Sequence, residues 1–197
     1  MTKIKFCGLR TLADIKAANE LAPEYVGFVF APKSKRCVAP ATAENLRGAL
    51  SDKICTVGVF VNEDYHIVAE LLNAGIIDAA QLHGFEDAAY IKNLRGLTNK
   101  VIIQAFQGNK IAAAQNSLAD FILLDAGAGD GKTFDWRTIN LRREYFLAGG
   151  LTVDNVDAAI KLLRPFAVDV SSGIETDGRK DFNKMATFAE VVRRKNI

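Results

Sequence analysis

Short apolar runs recur along the chain, separated by stretches of helical periodicity. Runs rich in Val, Ile and Phe occupy 3–7 (KIKFC), 25–30 (YVGFVF), 54–61 (ICTVGVFV) and 76–83 (IIDAAQLH). Four more follow at 100–106, 120–125, 145–150 and 166–173. Each has the length of a strand, and most are apolar on both faces, as strands of a covered parallel sheet are. Between the first two runs, TLADIKAANEL opens with Thr11 three residues before Asp14, a capping-box-like helix start. TVDNVDAAIKLL sets Val153, Val156, Ile160 and Leu163 on one face, and DFNKMATFAEVV carries Phe182, Met185, Phe188 and Val192. The segment after the sixth run gives the weakest helical signal.

Eight strands alternating with helices predict an α/β fold with a parallel sheet, and eight repeats allow closure into a single (β/α)8 TIM barrel. The prediction covers 1–197 as one catalytic domain, at the short end for such barrels. An open doubly wound sheet accommodates the same alternation, so periodicity favours the barrel without excluding the alternative.

Composition narrows the function classes. With 49% hydrophobic residues and a mean hydropathy of +0.07, the chain can bury one good core. A net charge of +2 and a pI near 8.4 are too mild to argue for nucleic acid, and an anionic small molecule remains compatible. MTKIKFCGLR lacks the apolar core of a signal peptide, and no stretch reaches the roughly 18 apolar residues of a membrane helix. The expectation is a cytoplasmic protein without membrane partners. Cys7, Cys37 and Cys55 are odd in number and widely spaced, which fits neither a disulfide framework nor a metal site.

FILLDAGAGDGKTFDW, residues 121–136, contains Gly131-Lys132-Thr133 and so resembles a phosphate-binding P-loop. That motif needs glycine five positions earlier, where backbone amides cradle phosphate, and Ala126 stands there. What remains is a strand ending in a carboxylate, Asp125, followed by a glycine-rich loop.

In a closed barrel the site lies at the C-terminal strand ends. Cys7 ends the first strand, Arg36 follows the second, Gln81 and His83 end the fourth, and Asp125 ends the sixth. Gly149-Gly150 closes the seventh, and Asp169 with Ser171-Ser172-Gly173 closes the eighth. Glycines at the last two ends suit a phosphate held by backbone amides. Each residue also has a plainer reading: Cys7 as a small apolar filler, Asp125 as a loop cap, Arg36 as a solvated charge, His83 as structural. Strand parity groups Lys3, Lys5 and Cys7 on one face, and Ile4 and Phe6 on the other, facing the helices. Lys5 then lies inward beside Cys7, where a cation favours the thiolate of a group whose free pKa is about 8.5.

KFCGLR, GFVFAPKSKRCV, VGVFVN, QLHG, DGKTFDW, LAGGL and VDVSSGIE run in order along the whole chain. Together they resemble the phosphoribosylanthranilate isomerases of tryptophan biosynthesis. The resemblance implies a TIM barrel working without metal or cofactor, as a monomer or homodimer, on a phosphoribosyl substrate. The implied reaction is the Amadori rearrangement of N-(5'-phosphoribosyl)anthranilate to 1-(2-carboxyphenylamino)-1-deoxyribulose 5-phosphate, the third step from chorismate to tryptophan. By position, it implies Asp125 as general acid, Cys7 as general base, and Arg36 as the contact to the anthranilate carboxylate. It also implies Gly149, Gly150, Ser172 and Gly173 as the phosphate cradle, and the loop after strand six as a mobile cover. Gln81, His83 and Asp169 stand at strand ends as further substrate contacts. Departures from the family pattern fall in loops: Lys35 where proline is frequent, Gly-Ala-Gly-Asp-Gly before Lys132, and Asp177-Gly178 in place of a proline-glycine turn. The rival readings are the related histidine-pathway isomerase, which is expected to carry aspartate where Cys7 stands, and a phosphate-sugar binding module without turnover.

Overall fold

A computed structural model describes residues 1–126 and 136–194. The near-P-loop and the expected cover after strand six fall largely on 127–135, outside the described residues. Eight parallel strands close into a barrel in chain order. They are β1 (Lys3–Cys7), β2 (Tyr25–Val29), β3 (Cys55–Phe60), β4 (Ala79–Leu82), β5 (Val101–Gln107), β6 (Phe121–Asp125), β7 (Tyr145–Ala148) and β8 (Ala167–Val170). β1 pairs with β8 from Lys3 opposite Ala167 to Phe6 opposite Val170, which completes the ring and removes the open-sheet alternative.

Helices α1 (Leu12–Leu21), α2 (Pro40–Ala49), α3 (Tyr65–Asn73), α4 (Ala88–Leu97), α5 (Ile111–Gln115), α6 (Val156–Leu163) and α7 (Phe182–Arg194) surround it. Between β6 and β7 the described residues form only a single turn of 3-10 helix, Trp136–Thr138. α1 starts as its sequence predicts, with the Thr11 side chain accepting from the Asp14 amide and the Asp14 carboxylate accepting from the Thr11 amide. On α7, Met185, Phe188 and Val192 are buried, whereas Phe182 at its first turn is exposed. Val153 precedes α6, whose buried positions are Val156, Ala159 and Ile160.

Alternation along each strand divides the core in two. Ile4, Phe6, Val26, Phe28, Ala80 and Leu82 pack outward against the helices. Val57, Ala79, Ile103, Leu123, Phe146 and Ala167 fill the barrel, with Cys7, Val29 and Val59 forming a layer above them. A hollow of about 210 Å³ opens at the opposite, N-terminal end of the strands among Tyr25, Ala79, Ile103 and Phe146, whereas the polar groups singled out from the sequence gather at the C-terminal mouth. Among the described residues no helix is long and apolar enough to cross a membrane.

Candidate active site

A cleft of about 470 Å³ opens at the C-terminal strand ends. Its walls include Cys7, Arg36, Gln81, His83, Asp125, Gly149, Gly150, Asp169 and Ser172. Nine of the ten residues singled out from the sequence thus meet in one place. Gly173 is the tenth and does not line it; a side chain there would come within 2.0 Å of the Leu151 carbonyl oxygen. Its part is to let the turn after β8 close against the loop after β7.

The floor is electrostatic. Lys5 is fully buried, and its Nζ lies 3.0 Å from Asp169 Oδ1, directly across the β1–β8 pairing. Gly27 stands opposite Cys7 on β2, and a β-carbon there would lie 2.8 Å from Cys7 Sγ and 3.3 Å from Lys5 Nζ. The sulfur and the ammonium therefore share the space that glycine leaves open. Burial lowers the Lys5 pKa, but the charge and hydrogen bond of Asp169, helped by the neighbouring Cys7 sulfur, outweigh it and raise the net value, so Lys5 is a cation. Burial pushes the Cys7 thiol up, and Lys5 and Lys180 pull it down less than burial and Asp169 raise it. The expected thiolate-favouring cation is present, yet desolvation of the sulfur wins in the free protein.

On the wall formed by β4 and β6, Gln81 Nε2 lies 2.9 Å from His83 Nδ1. With the amide nitrogen donating, Nδ1 is the acceptor and the ring proton sits on Nε2, which faces Asp125 Oδ2 at 3.6 Å. Gln81 is buried at the end of β4, so the imidazole is held from below by the barrel itself.

Arg36 reaches the cleft from the loop after β2. Its stem crosses Gly8, where a β-carbon would come within 2.4 Å of Arg36 Cδ and where φ is +78°. Cys7-Gly8 is thus a unit: the cysteine faces the cleft and the glycine makes room for the arginine. The guanidinium is engaged by a partner that sequence reasoning missed, Glu175, which accepts from Nε and Nη2 at 2.7 Å each. Glu175 also accepts from Lys180 Nζ at 2.7 Å. Burial raises the Glu175 pKa, but these hydrogen bonds prevail and hold it at about 2. Burial lowers Lys180, against the opposing pull of Glu175. Lys180 Nζ further donates to the Ser171 carbonyl at 3.0 Å, and Ser171 Oγ donates to the Cys7 carbonyl at 3.0 Å. The signal available in the sequence was Asp177-Gly178, a hairpin turn dipeptide between the two charges. Cys37, next to Arg36, is exposed and outside the cleft lining.

In chemical terms, a thiol beside a buried cation shares one cleft with a carboxylate beside an imidazole, a guanidinium and a glycine-lined wall. No group of three or more His, Cys, Asp or Glu among the described residues could hold a metal ion.

The family model for N-(5'phosphoribosyl)anthranilate (PRA) isomerase matches residues 4–191. The N-(5'-phosphoribosyl)anthranilate isomerase of Thermoanaerobacter sp. (strain X514) is 42% identical over 201 residues, covering 98% of each chain. The crystal structure of phosphoribosyl anthranilate isomerase from Thermotoga maritima superposes with a TM-score of 0.89 at 34% identity, covering 98% of this chain and 100% of that one. A phosphoribosyl anthranilate isomerase in complex with reduced 1-(o-carboxyphenylamino)-1-deoxyribulose 5-phosphate gives a TM-score of 0.87 at 34% identity, over 98% and 100% of the two chains.

Proposed function

The chain belongs to the N-(5'-phosphoribosyl)anthranilate isomerase family, and on that premise we propose that it converts N-(5'-phosphoribosyl)anthranilate to 1-(2-carboxyphenylamino)-1-deoxyribulose 5-phosphate in tryptophan biosynthesis. The observation that carries the proposal is the meeting of Cys7 and Asp125 in one cleft with Arg36 and the Gly149-Gly150-Ser172 wall. A substrate with a carboxylated ring at one end and a phosphate at the other has a complement for each end.

Asp125 acts as general acid. It protonates the furanose ring oxygen, the ring opens, and the nitrogen lone pair forms an iminium. Cys7 then removes the C2' proton, giving an enolamine that tautomerises to the ketone. The two groups approach the cleft from β6 and β1, so acid and base work from different sides of the sugar. On substrate binding the thiol proton passes to Asp125, which makes the neutral acid and the thiolate together, and after ring opening the iminium charge joins Lys5 in favouring that thiolate. Once the C2' proton has moved, Cys7 is again a thiol, the form that burial favours, and Asp125 is a carboxylate. The site is then back in the form that met the substrate.

The relay Gln81–His83 directs an N–H toward Asp125 and so orients the acid. Gly149, Gly150 and Ser172 take the phosphate, with Gly173 allowing the two phosphate loops to touch. Asp169 keeps Lys5 charged beneath the sulfur. The test is to follow the fluorescence of freshly generated phosphoribosylanthranilate with the purified protein, and to compare the product chromatographically with the authentic ketose. Decay no faster than the spontaneous breakdown of the substrate would rule the activity out and leave a phosphate-binding barrel.

A further inference from the structure

The segment between β8 and α7 is a two-stranded hairpin, β9 (Glu175–Thr176) and β10 (Arg179–Lys180), with Glu175 paired opposite Lys180. Its turn residues Asp177 and Gly178 have φ of 52° and 72°, the backbone that a two-residue type I′ hairpin requires. Arg10 straps this hairpin to the loop that carries Arg36, donating to the Gly178 and Lys35 carbonyls at 2.7 Å each. Both the hairpin and the arginine loop are therefore held in one frame.

A guanidinium offers five N–H groups in a plane, arranged as two forks. Glu175 occupies the fork made by Nε and Nη2. The remaining fork, one N–H on each Nη, points along the side-chain axis and is shaped for a second carboxylate. The side chains of Glu175 and Lys180 are 8% and 3% exposed, whereas Arg36 is 30% exposed, so a buried pair holds a guanidinium that still reaches solvent. The charges matter as much as the geometry. Arg36 and Glu175 alone would present a neutral pair; with Lys180 the cluster carries a net positive charge, as an anionic partner requires.

We propose that Glu175 and Lys180 are positioning residues for Arg36: they fix the plane of its guanidinium and keep the cluster cationic, so that its outer fork selects a substrate bearing an aryl carboxylate. This assignment rests on the proposed function and deepens it, making the hairpin the element that distinguishes an acidic aromatic ring from a neutral one.

The experiment combines Glu175→Gln, Arg36→Met and the double variant, measuring kcat, KM, and the affinity for reduced 1-(o-carboxyphenylamino)-1-deoxyribulose 5-phosphate and for inorganic phosphate. Glu175→Gln is expected to raise KM and the Kd of the reduced product about tenfold or more, the scale of a lost charge-assisted pair, with kcat within about twofold. Phosphate affinity stays unchanged, and in the Arg36→Met background Glu175→Gln has no further effect. Glu175→Gln/Lys180→Met, which leaves no unpaired buried charge, shows the same rise and answers any loss of folding in the single variant. Reduced-product binding as tight as in wild type, tighter binding, or additive effects of Glu175→Gln and Arg36→Met would each overturn the assignment alone. Absence of turnover in wild type would overturn the proposed function and the assignment with it.

Discussion

Asp169→Asn is the most telling perturbation of the barrel floor. It removes the counter-ion of an ammonium that is 0% exposed and 3.0 Å away. At an effective dielectric of about 20, that separation corresponds to roughly 5.5 kcal/mol of attraction, partly offset by desolvation. Breaking a buried pair from one side costs about 3–5 kcal/mol, because the remaining charge is stranded. For a chain of this size, roughly 2–4 °C per kcal/mol puts the expected fall in Tm at about 6–20 °C. Urea unfolding should show the same loss through its midpoint, with an unchanged slope. The sign of the pH dependence follows from Lys5. In the wild type its folded pKa is raised above the ordinary 10.5, so its contribution is complete below that pH and is lost only as pH rises through the folded value. Without Asp169, burial is the dominant influence and depresses the folded pKa. The unfolded chain then binds more protons, and stability rises with pH. The gap between Asp169→Asn and wild type should therefore narrow as pH rises from the depressed folded value toward the ordinary lysine value of 10.5. Adding Lys5→Met should recover much of the loss by removing the stranded charge. A loss under about 1 kcal/mol, or a double variant less stable than Asp169→Asn, would refute the picture of a charged, buried pair.

Two further outcomes concern the chemistry above that floor. Asp125→Asn keeps the shape and removes the transferable proton, so kcat should fall about 10²–10⁴-fold with little change in unfolding midpoint; a kcat near wild type would take Asp125 out of the reaction. Gly27→Ala puts a methyl group 2.8 Å from Cys7 Sγ and 3.2 Å from its Cα, so it should displace the sulfur, cost about 1–3 kcal/mol of stability and depress kcat; wild-type turnover would show that the sulfur's position is not critical.

Much of this arrangement is legible in the sequence alone. Parallel strands buried on both faces announce themselves as apolar runs, and parity on β1 correctly sent Lys5 and Cys7 inward, with Ile4 and Phe6 toward the helices. Strand ends were less clear, for a physical reason. The run 76–83 begins with Ile76 and Ile77, whose amides turn back to the Leu71 carbonyl after α3, so they are apolar without being pleated. The run 166–173 ends in serines and glycine that coil into a 3-10 turn. Arg36 was legible as a carboxylate binder, but its first partner, Glu175, lies 139 residues away. Its link to Lys180 depends on a hairpin only six residues long, and no periodicity reports so short an element. Asp177-Gly178 had the turn chemistry, though its meaning appears only when the Glu175–Lys180 register is seen. The balance of burial against Lys5 at Cys7 is likewise a property of packing density rather than of spacing.

The central claim is that Cys7 takes the C2' proton, and the rate of Cys7→Ser beside wild type tests it most directly. Followed by anthranilate fluorescence under saturating substrate, serine in place of cysteine should reduce kcat about 10²–10⁴-fold while the urea midpoint and the affinity for the reduced product stay at wild-type values. Turnover by Cys7→Ser within a few-fold of wild type would contradict the account and move the base to another residue of the cleft.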